Sequence, residues 1–127
     1  GGRGDARRAG DGGRPCRRAP ALSGVALVYA VFGSAEEARG IGREMVDERL
    51  AACVNVLAPC HSIYRWQGEM AEAAEHPALF KTTPAGAETL AAEIRRRHSY
   101  AVPAVVVLPE AAAGAAFAEW VAAATRS

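Results

Sequence analysis

The chain has 127 residues, of which 50% are hydrophobic, and a formal net charge of +1. This length and apolar content suit one compact domain with a hydrophobic core. The small net charge provides no basic field for nucleic acid, and no apolar run reaches the roughly 20 residues of a membrane span. We therefore expect neither nucleic acid nor a membrane among its partners.

The first twenty residues differ in composition from the rest. They contain six arginines and two aspartates, which leaves nine basic and twelve acidic residues in the remainder. Because residues 1–20 have few apolar side chains to bury, we expect a disordered Arg/Gly-rich tail. A nucleic-acid-binding arm is the alternative use of these arginines. Residues 21–127 are expected to form a single domain.

The cysteines indicate the compartment. Cys16, Cys53 and Cys60 are an odd number, without a CxxC pair or a dense spacing. A disulfide framework is therefore not indicated, and a reducing environment fits this usage. We expect a cytoplasmic protein.

The first predicted elements are a strand and a helix. Leu22–Phe32 is a continuous apolar run rich in β-branched and aromatic residues, which is typical of a strand buried on both faces. Ser34 and Glu37 have the spacing of a capping box at a helix start. Apolar residues then recur at helical spacing, which predicts a helix to about residue 50.

A long hairpin is predicted over residues 51–83. Residues 51–66 are too long for an ordinary strand. Pro59 cannot donate to a central ladder, so we predict two strand halves around a bend. The Gln-Gly-Glu at 67–69 predicts a turn, followed by a returning strand. Pro77 predicts a break in that strand, with its first half loose or at an edge.

The last third predicts a helix, a strand and another helix. Thr83 and Pro84 have the chemistry of an N-cap and a first helical position. The arginines at 95–97 suit the last turn of this helix, where cations complement the helix dipole. Residues 102–108 predict a short buried strand, and residues 114–124 a short final helix.

The element order β-α-β-β-α-β, followed by a helix, determines the expected fold. Right-handed crossovers give a ferredoxin-like α+β sandwich, in which both main helices cover one face of a four-stranded antiparallel sheet. The strands read as continuous apolar runs rather than alternating ones, so the second face is expected to be apolar. Such a face favours burial against another subunit in a cyclic oligomer.

Motifs for catalysis are missing from the sequence. It has no GxxxxGK[ST], no GxGxxG after a strand and no GxSxG, so we predict no enzyme. Imidazole and thiolate suit copper or zinc, and the metal candidates are His98, Cys53, Cys60, His61 and His76, although no pair has ligand spacing. The alternatives are a small buried strand residue for Cys53 and a satisfied core histidine or helix-end cation for His98.

Four segments carry a family resemblance. They are residues 48–55 (Glu-Arg-Leu-Ala-Ala-Cys-Val-Asn), 62–68 (Ser-Ile-Tyr-Arg-Trp-Gln-Gly), 81–82 (Lys-Thr) and 98–103 (His-Ser-Tyr-Ala-Val-Pro). In register, they resemble the CutA family of divalent-cation tolerance proteins. The resemblance implies a homotrimer whose long hairpins extend the neighbouring sheets. It also implies tolerance of copper and other divalent ions, with binding of Cu(II) or similar ions and no established catalysis.

The resemblance also assigns site residues. It implies that His98 is the best metal ligand and that Cys53 is a weaker one. It implies an intersubunit cleft lined by Tyr64, Trp66, Lys81, Thr82 and Tyr100.

The sequence departs from the family pattern around the implied metal site. Ala30 stands where some relatives have Cys, Arg97 where some have a second His, and Ser99 where the pattern has Pro. Ala101 and Ala104 stand where it has Glu. With fewer polar donors, the expected divalent-metal site is weak, and a strong site would have to recruit Cys60 and His61 from the bend or form across subunits. The alternative function is that of a PII-like trimeric signalling module, which would bind a small anion or nucleotide through Lys81 and the arginines at 95–97.

Overall fold

A computed structural model describes residues 22–126. The strands are β1 (Leu22–Phe32), β2 (Cys53–Val56), β3 (Cys60–Trp66), β4 (Glu69–Thr82) and β5 (Val105–Gly114). The helices are α1 (Ala35–Asp47), α2 (Ala87–Arg97) and α3 (Ala115–Ala124), and a 3-10 turn, Pro84–Gly86, precedes α2. The predicted tail at 1–20, including Cys16, lies outside the described residues.

The strands form one antiparallel arrangement in the order β2-β4-β1-β5, and β3 also pairs with β4. β2 and β3 lie along successive parts of β4 because the chain bends between them at Pro59. The predicted α+β fold and the predicted bend are therefore confirmed.

Alternate residues of β1 face the two main helices. Val28, Ala30 and Phe32 are all buried on this side of the sheet, which we call the helix-covered face. They form one cluster with apolar residues of α1 and α2, namely Ala38, Ile41, Met45, Leu90, Ala91 and Ile94. Hydroxyl caps start α1 and the 3-10 turn that leads into α2, because Glu37 N–H donates to Ser34 Oγ and Gly86 N–H to Thr83 Oγ1, each at 3.1 Å.

The opposite face is only partly covered. Val25 points to this side, and it packs with Ala118 and Val121 of α3. Further along the sheet, Val106 and Leu108 of β5 stay 53% and 45% exposed. The expected second apolar face is therefore divided between a part under α3 and a part open in the single chain.

Beyond the sheet, β3 and the first half of β4 pair with each other while β1 pairs with residues 76–82 of β4. We call residues 60–75 the projecting hairpin. Its two-residue turn has φ of 52° at Gln67 and 83° at Gly68, the left-handed conformations of a type I′ turn. Ile63, Trp66 and Met70 of this hairpin are 50–70% exposed.

Two predicted boundaries were wrong. α1 ends at Asp47 rather than near residue 50, because Arg49 turns to a φ of 61°. The N–H groups of Leu50 and Ala51 then both bond to the Met45 carbonyl, which closes the helix end. The last strand begins at Val105 and continues to Gly114 with alternating exposure, so it is neither short nor fully buried.

The predicted break at Pro77 does not occur, and β4 continues through it. Pro77 pairs with Val31 of β1, and its carbonyl accepts the N–H of Leu57 at 2.9 Å. In an antiparallel ladder, the N–H and C=O of one residue point to the same neighbour. The missing N–H of Pro77 therefore faces the bend at Pro59, where the ladder is already interrupted.

Candidate functional site

A cleft of about 640 Å³ lies between the projecting hairpin and the loop after α2. The cleft is lined by Val31, Ser62, Tyr64, Trp66, Glu75, Tyr100, Ala101, Val102 and Ala104. Ser62, Tyr64 and Trp66 alternate along β3 and therefore share one face. Glu75 lies on the same face because it pairs with Cys60 in the register of the hairpin.

The aromatic residues of this cleft are accessible. Tyr64, Trp66 and Tyr100 are 43%, 50% and 37% exposed. The Tyr100 hydroxyl donates to Glu75 Oε2 at 2.8 Å. Burial, and then this bond, raise the pKa of Tyr100 to about 12. The phenol therefore stays protonated and uncharged at neutral pH, and the negative charge of the pair resides on Glu75.

His98 supports the cleft from behind. Its side chain is buried and stacks on Phe32, with ring centroids 4.8 Å apart and 9° between the planes. Its Nε2 lies 2.7 Å from the Val31 carbonyl oxygen, and its Nδ1 accepts the Tyr100 N–H at 3.1 Å. A carbonyl only accepts and an amide N–H only donates, so these partners fix the neutral tautomer with hydrogen on Nε2. Both ring nitrogens are thus used by the backbone.

Ser99 anchors the same loop to α1. Its N–H donates to Glu37 Oε2 at 2.8 Å, and its hydroxyl donates to Glu37 Oε1 at 2.9 Å. Proline, the residue of the family pattern at this position, lacks both donors. The loop that carries Tyr100 is therefore fixed by bonds at three successive residues, 98, 99 and 100.

Lys81 and Thr82, which the resemblance implies for the intersubunit cleft, do not line this cleft of the single chain. Thr82 is buried, and its hydroxyl donates to the Leu50 carbonyl at 2.9 Å. Lys81 pairs with Cys53 in the ladder between β2 and β4. The structure thus brings Tyr64, Trp66 and Tyr100 together without these two residues. Since it contains one chain, the intersubunit character of the cleft stays a prediction.

Cys53 and His98, the two predicted metal ligands, are far apart. Cys53 is buried in β2 beside Lys81, which pairs with Leu27 of β1. His98 bonds to Val31, four residues further along β1. At the rise of an extended strand, four residues correspond to about 13 Å. The two side chains therefore do not form a ligand pair within one chain.

The donor set of one chain does not fit a preformed metal centre. Over residues 22–126, no group of three or more His, Cys, Asp or Glu side chains is placed to hold a metal ion. His98 already uses both nitrogens, as described above. The nearest approach to a ligand pair is His61 with Glu72, whose Nε2 and Oε1 are 2.5 Å apart on the outer face of the hairpin.

Two arginines of the anion-binding alternative, Arg96 and Arg97, are engaged with carboxylates. Arg97 makes ion pairs with Glu44, Glu48 and Glu93 at 2.7–3.0 Å, and Arg96 pairs with Glu93 at 2.8 Å. The hydrogen bond from Arg97 lowers the pKa of Glu48, and that from Arg96 lowers the pKa of Glu93. The pairs of Arg97 with Glu44 and Glu48 link α2 to the end of α1, so Arg96 and Arg97 are bound by carboxylates rather than open to an anion.

Sequence reasoning did not identify the acidic floor of the cleft. Glu75 received no role from the sequence patterns. A two-residue turn at Gln67 and Gly68 pairs Trp66 with Glu69, and counting back along both strands then pairs Cys60 with Glu75. This register would have placed the carboxylate on the face of Tyr64. The bond from Tyr100 needed the tertiary structure.

Comparison with known proteins decides the family. The sequence model of the CutA1 divalent ion tolerance proteins matches residues 26–124. The chain belongs to this family. It is 42% identical over 94 residues to the divalent-cation tolerance protein CutA of Thermus thermophilus, which covers 74% of this chain and 91% of the relative. The resemblance seen in the sequence is therefore confirmed.

Solved structures agree with this family membership. The divalent cation tolerance protein of Thermus thermophilus superposes with a TM-score of 0.75 at 39% identity, covering 80% of this chain and 99% of its own. CutA of Synechococcus elongatus gives a TM-score of 0.78 at 29% identity, covering 85% and 96%. The chloroplastic CutA of Arabidopsis thaliana is 31% identical over 80% of this chain, which spans 56% of that relative.

No helix within residues 22–126 is long and apolar enough to cross a membrane.

Proposed function

We propose that this protein acts in the tolerance of divalent cations, as a cytoplasmic homotrimer. Family membership carries the proposal, since the bacterial relative with 42% identity is named for divalent-cation tolerance. The family model and the 42% identical relative are named for tolerance and for no reaction, so the proposed role is binding rather than catalysis. The free thiols of Cys53 and Cys60 are compatible with a reducing compartment.

Exposed apolar side chains support the trimer. Ile63, Trp66 and Met70 are 64%, 50% and 70% exposed on the projecting hairpin. Val106 and Leu108 are exposed on β5, which is at the end of the strand order. Exposed apolar side chains in such numbers are typical of an interaction site, and an edge strand can pair with another chain. We propose that hairpin and edge meet in the trimer.

The chemistry of the donors supports a weak metal site. Cu(II) is the proposed ion, because imidazole and thiolate are among its suitable ligands. His98 and Cys53 are the proposed donors, although His98 would have to give up a backbone hydrogen bond and Cys53 is distant within one chain. Donors from different subunits would therefore have to combine, and the proposal assigns the metal to the subunit boundary.

Calorimetric titration of the full chain with Cu(II) tests the metal proposal. We expect weak, saturable binding that His98→Ala weakens at least about tenfold, because loss of a donor costs no less than loss of a group that supports one. His61→Ala is the matched control, because His61 is an exposed histidine whose side chain pairs with Glu72. Unchanged affinity in His98→Ala would remove His98 from the site.

The trimer has its own test in Trp66→Ala. Half-exposed aromatic anchors commonly dominate interface energies, at about 2 kcal/mol or more, so we expect this change to weaken association. Sedimentation velocity over a dilution series measures the effect. Val46→Ala, at a 38% exposed apolar position on α1, is the control. A Trp66→Ala chain that stays fully trimeric at nanomolar concentration would contradict the proposed role of the hairpin.

A further inference from the structure

The walls of the cleft are aromatic on two sides. Tyr64 and Trp66 project from the same face of β3, and Tyr100 lies across from them on the loop after α2. Each ring keeps more than a third of its surface exposed. The volume, about 640 Å³, is in the range of small-molecule sites. The cleft can therefore receive a compact ligand against the faces of its rings.

The charge of the cleft is negative. Glu75 is the acidic residue among its lining side chains, and none of those in the described chain is Lys, Arg or His. Tyr100 donates to one oxygen of Glu75. The raised pKa of Tyr100 keeps that phenol neutral, so it contributes a ring without a competing charge. An anion would meet repulsion from Glu75 in this cleft of the single chain.

We propose that the cleft binds a small organic cation of the alkylated ammonium type. The faces of Trp and Tyr rings attract a cation through their quadrupoles, and the attraction is strongest when water is displaced. Glu75 adds a fixed opposite charge at the floor, and Val31 and Val102 provide apolar contact for alkyl groups. The ligand class thus follows from aromatic walls combined with one carboxylate.

A bare divalent ion fits this cleft less well. Hard cations require several oxygen ligands, and transition metals require imidazole or thiolate. The lining residues supply one carboxylate, one serine hydroxyl and two tyrosine hydroxyls. The organic cation is therefore a ligand separate from the proposed metal. The inference does not rest on metal tolerance.

The loop anchors make the cleft preorganised. His98 holds the Tyr100 backbone, Ser99 is bonded to Glu37, and the Tyr100 hydroxyl is bonded to Glu75. A ligand therefore finds the Tyr100 ring already placed, which reduces the entropy lost on binding.

Titration of the assembled, full-length protein with tetramethylammonium at constant ionic strength tests the inference. Binding is followed by tryptophan fluorescence in a Trp120→Phe background, which leaves Trp66 as the sole tryptophan. We expect saturable binding that Glu75→Gln weakens about tenfold, equivalent to about 1.4 kcal/mol. Tyr64→Leu should weaken it by about fivefold, since it removes one ring face. tert-Butanol, of similar size but neutral, should not saturate the site.

The matched control is Glu72→Gln, which removes a carboxylate from the opposite face of the same hairpin, where it pairs with His61. It should leave affinity for tetramethylammonium within about twofold. Equal binding of tert-butanol, or no saturation by tetramethylammonium, overturns the inference. So does equal loss in Glu72→Gln and Glu75→Gln. Cu(II) binding without tetramethylammonium binding would leave the proposed function intact and refute only this ligand. Glu75→Gln preserves shape and its acceptor for Tyr100, so a folded variant is expected.

Discussion

The helix-covered face and the projecting hairpin use apolar residues in opposite ways. Phe32 and Phe80 on the helix-covered face are fully buried. Ile63 and Met70 on the hairpin are about two-thirds exposed. Among the described residues, the buried cluster under the helices includes none from 60–75. The contrast indicates that the subunit fold is stabilised on one side, while the hairpin is available for partners and ligands.

Shortening the hairpin should have the largest effect among the changes that test this contrast. Removing residues 63–66 together with 69–72 joins Ser62 and Ala73 to the Gln67-Gly68 turn. These two residues pair in the present ladder, and the loss of four pairs preserves the alternation of hydrogen-bonded pairs. We expect a chain that unfolds cooperatively but is monomeric at micromolar concentration, as measured by circular dichroism and sedimentation. A persistent trimer would contradict the role of the hairpin in assembly. Loss of the fold would contradict the conclusion that the helix-covered face is enough to stabilise the subunit.

Phe32→Ala tests the helix-covered face. Phe32 is fully buried, stacks on His98, and has its ring centroid 6.5 Å from that of Phe80. Loss of its contacts and the resulting cavity should lower the free energy of unfolding by about 3–5 kcal/mol. Denaturant unfolding at fixed protein concentration measures this. Leu22→Ala, on the same strand but 63% exposed, should change it by less than about 0.5 kcal/mol.

The pH dependence of unfolding gives the smallest expected effect. Bonds from Arg97 and Arg96 hold the pKa of Glu48 and Glu93 below the ordinary value of 4.5. Because the folded pKa is lowered, their stabilisation is present above pH 4.5 and is lost as the pH falls through the folded values. We call this loss of stability at low pH the acid limb of the profile. Arg97→Met should flatten the acid limb, and high salt should reduce the difference between this variant and the wild type, since the pairs are at the surface.

The control for that measurement is Arg96→Met. Arg96 pairs with Glu93, whereas Arg97 also reaches Glu44 and Glu48 of the other helix. Arg96→Met should therefore keep more of the acid limb than Arg97→Met. If both variants retain the wild-type profile, the ion pairs between α1 and α2 do not contribute to stability.

Local signals were enough for most elements. The predicted bounds of β1 match the observed ones, because a continuous apolar run rich in β-branched and aromatic residues is typical of a buried strand. Ser34 predicted the start of α1, and Thr83 the start of the 3-10 turn before α2, since capping depends on residues three positions apart. The predicted break at Pro77 was wrong. Whether a proline interrupts a ladder depends on the neighbour that its missing N–H faces, and at Pro77 that neighbour is the bend at Pro59.

The sequence by itself determined the element order, the family and the exposed aromatic hairpin, because periodicity, caps and motifs are local along the chain. Only the tertiary structure decided what surrounds each polar group. It directed both nitrogens of His98 to the backbone, placed Thr82 in the core, and joined Tyr100 to Glu75 across 25 residues of sequence. Such contacts depend on how a loop meets a strand from elsewhere in the chain, which no local pattern specifies.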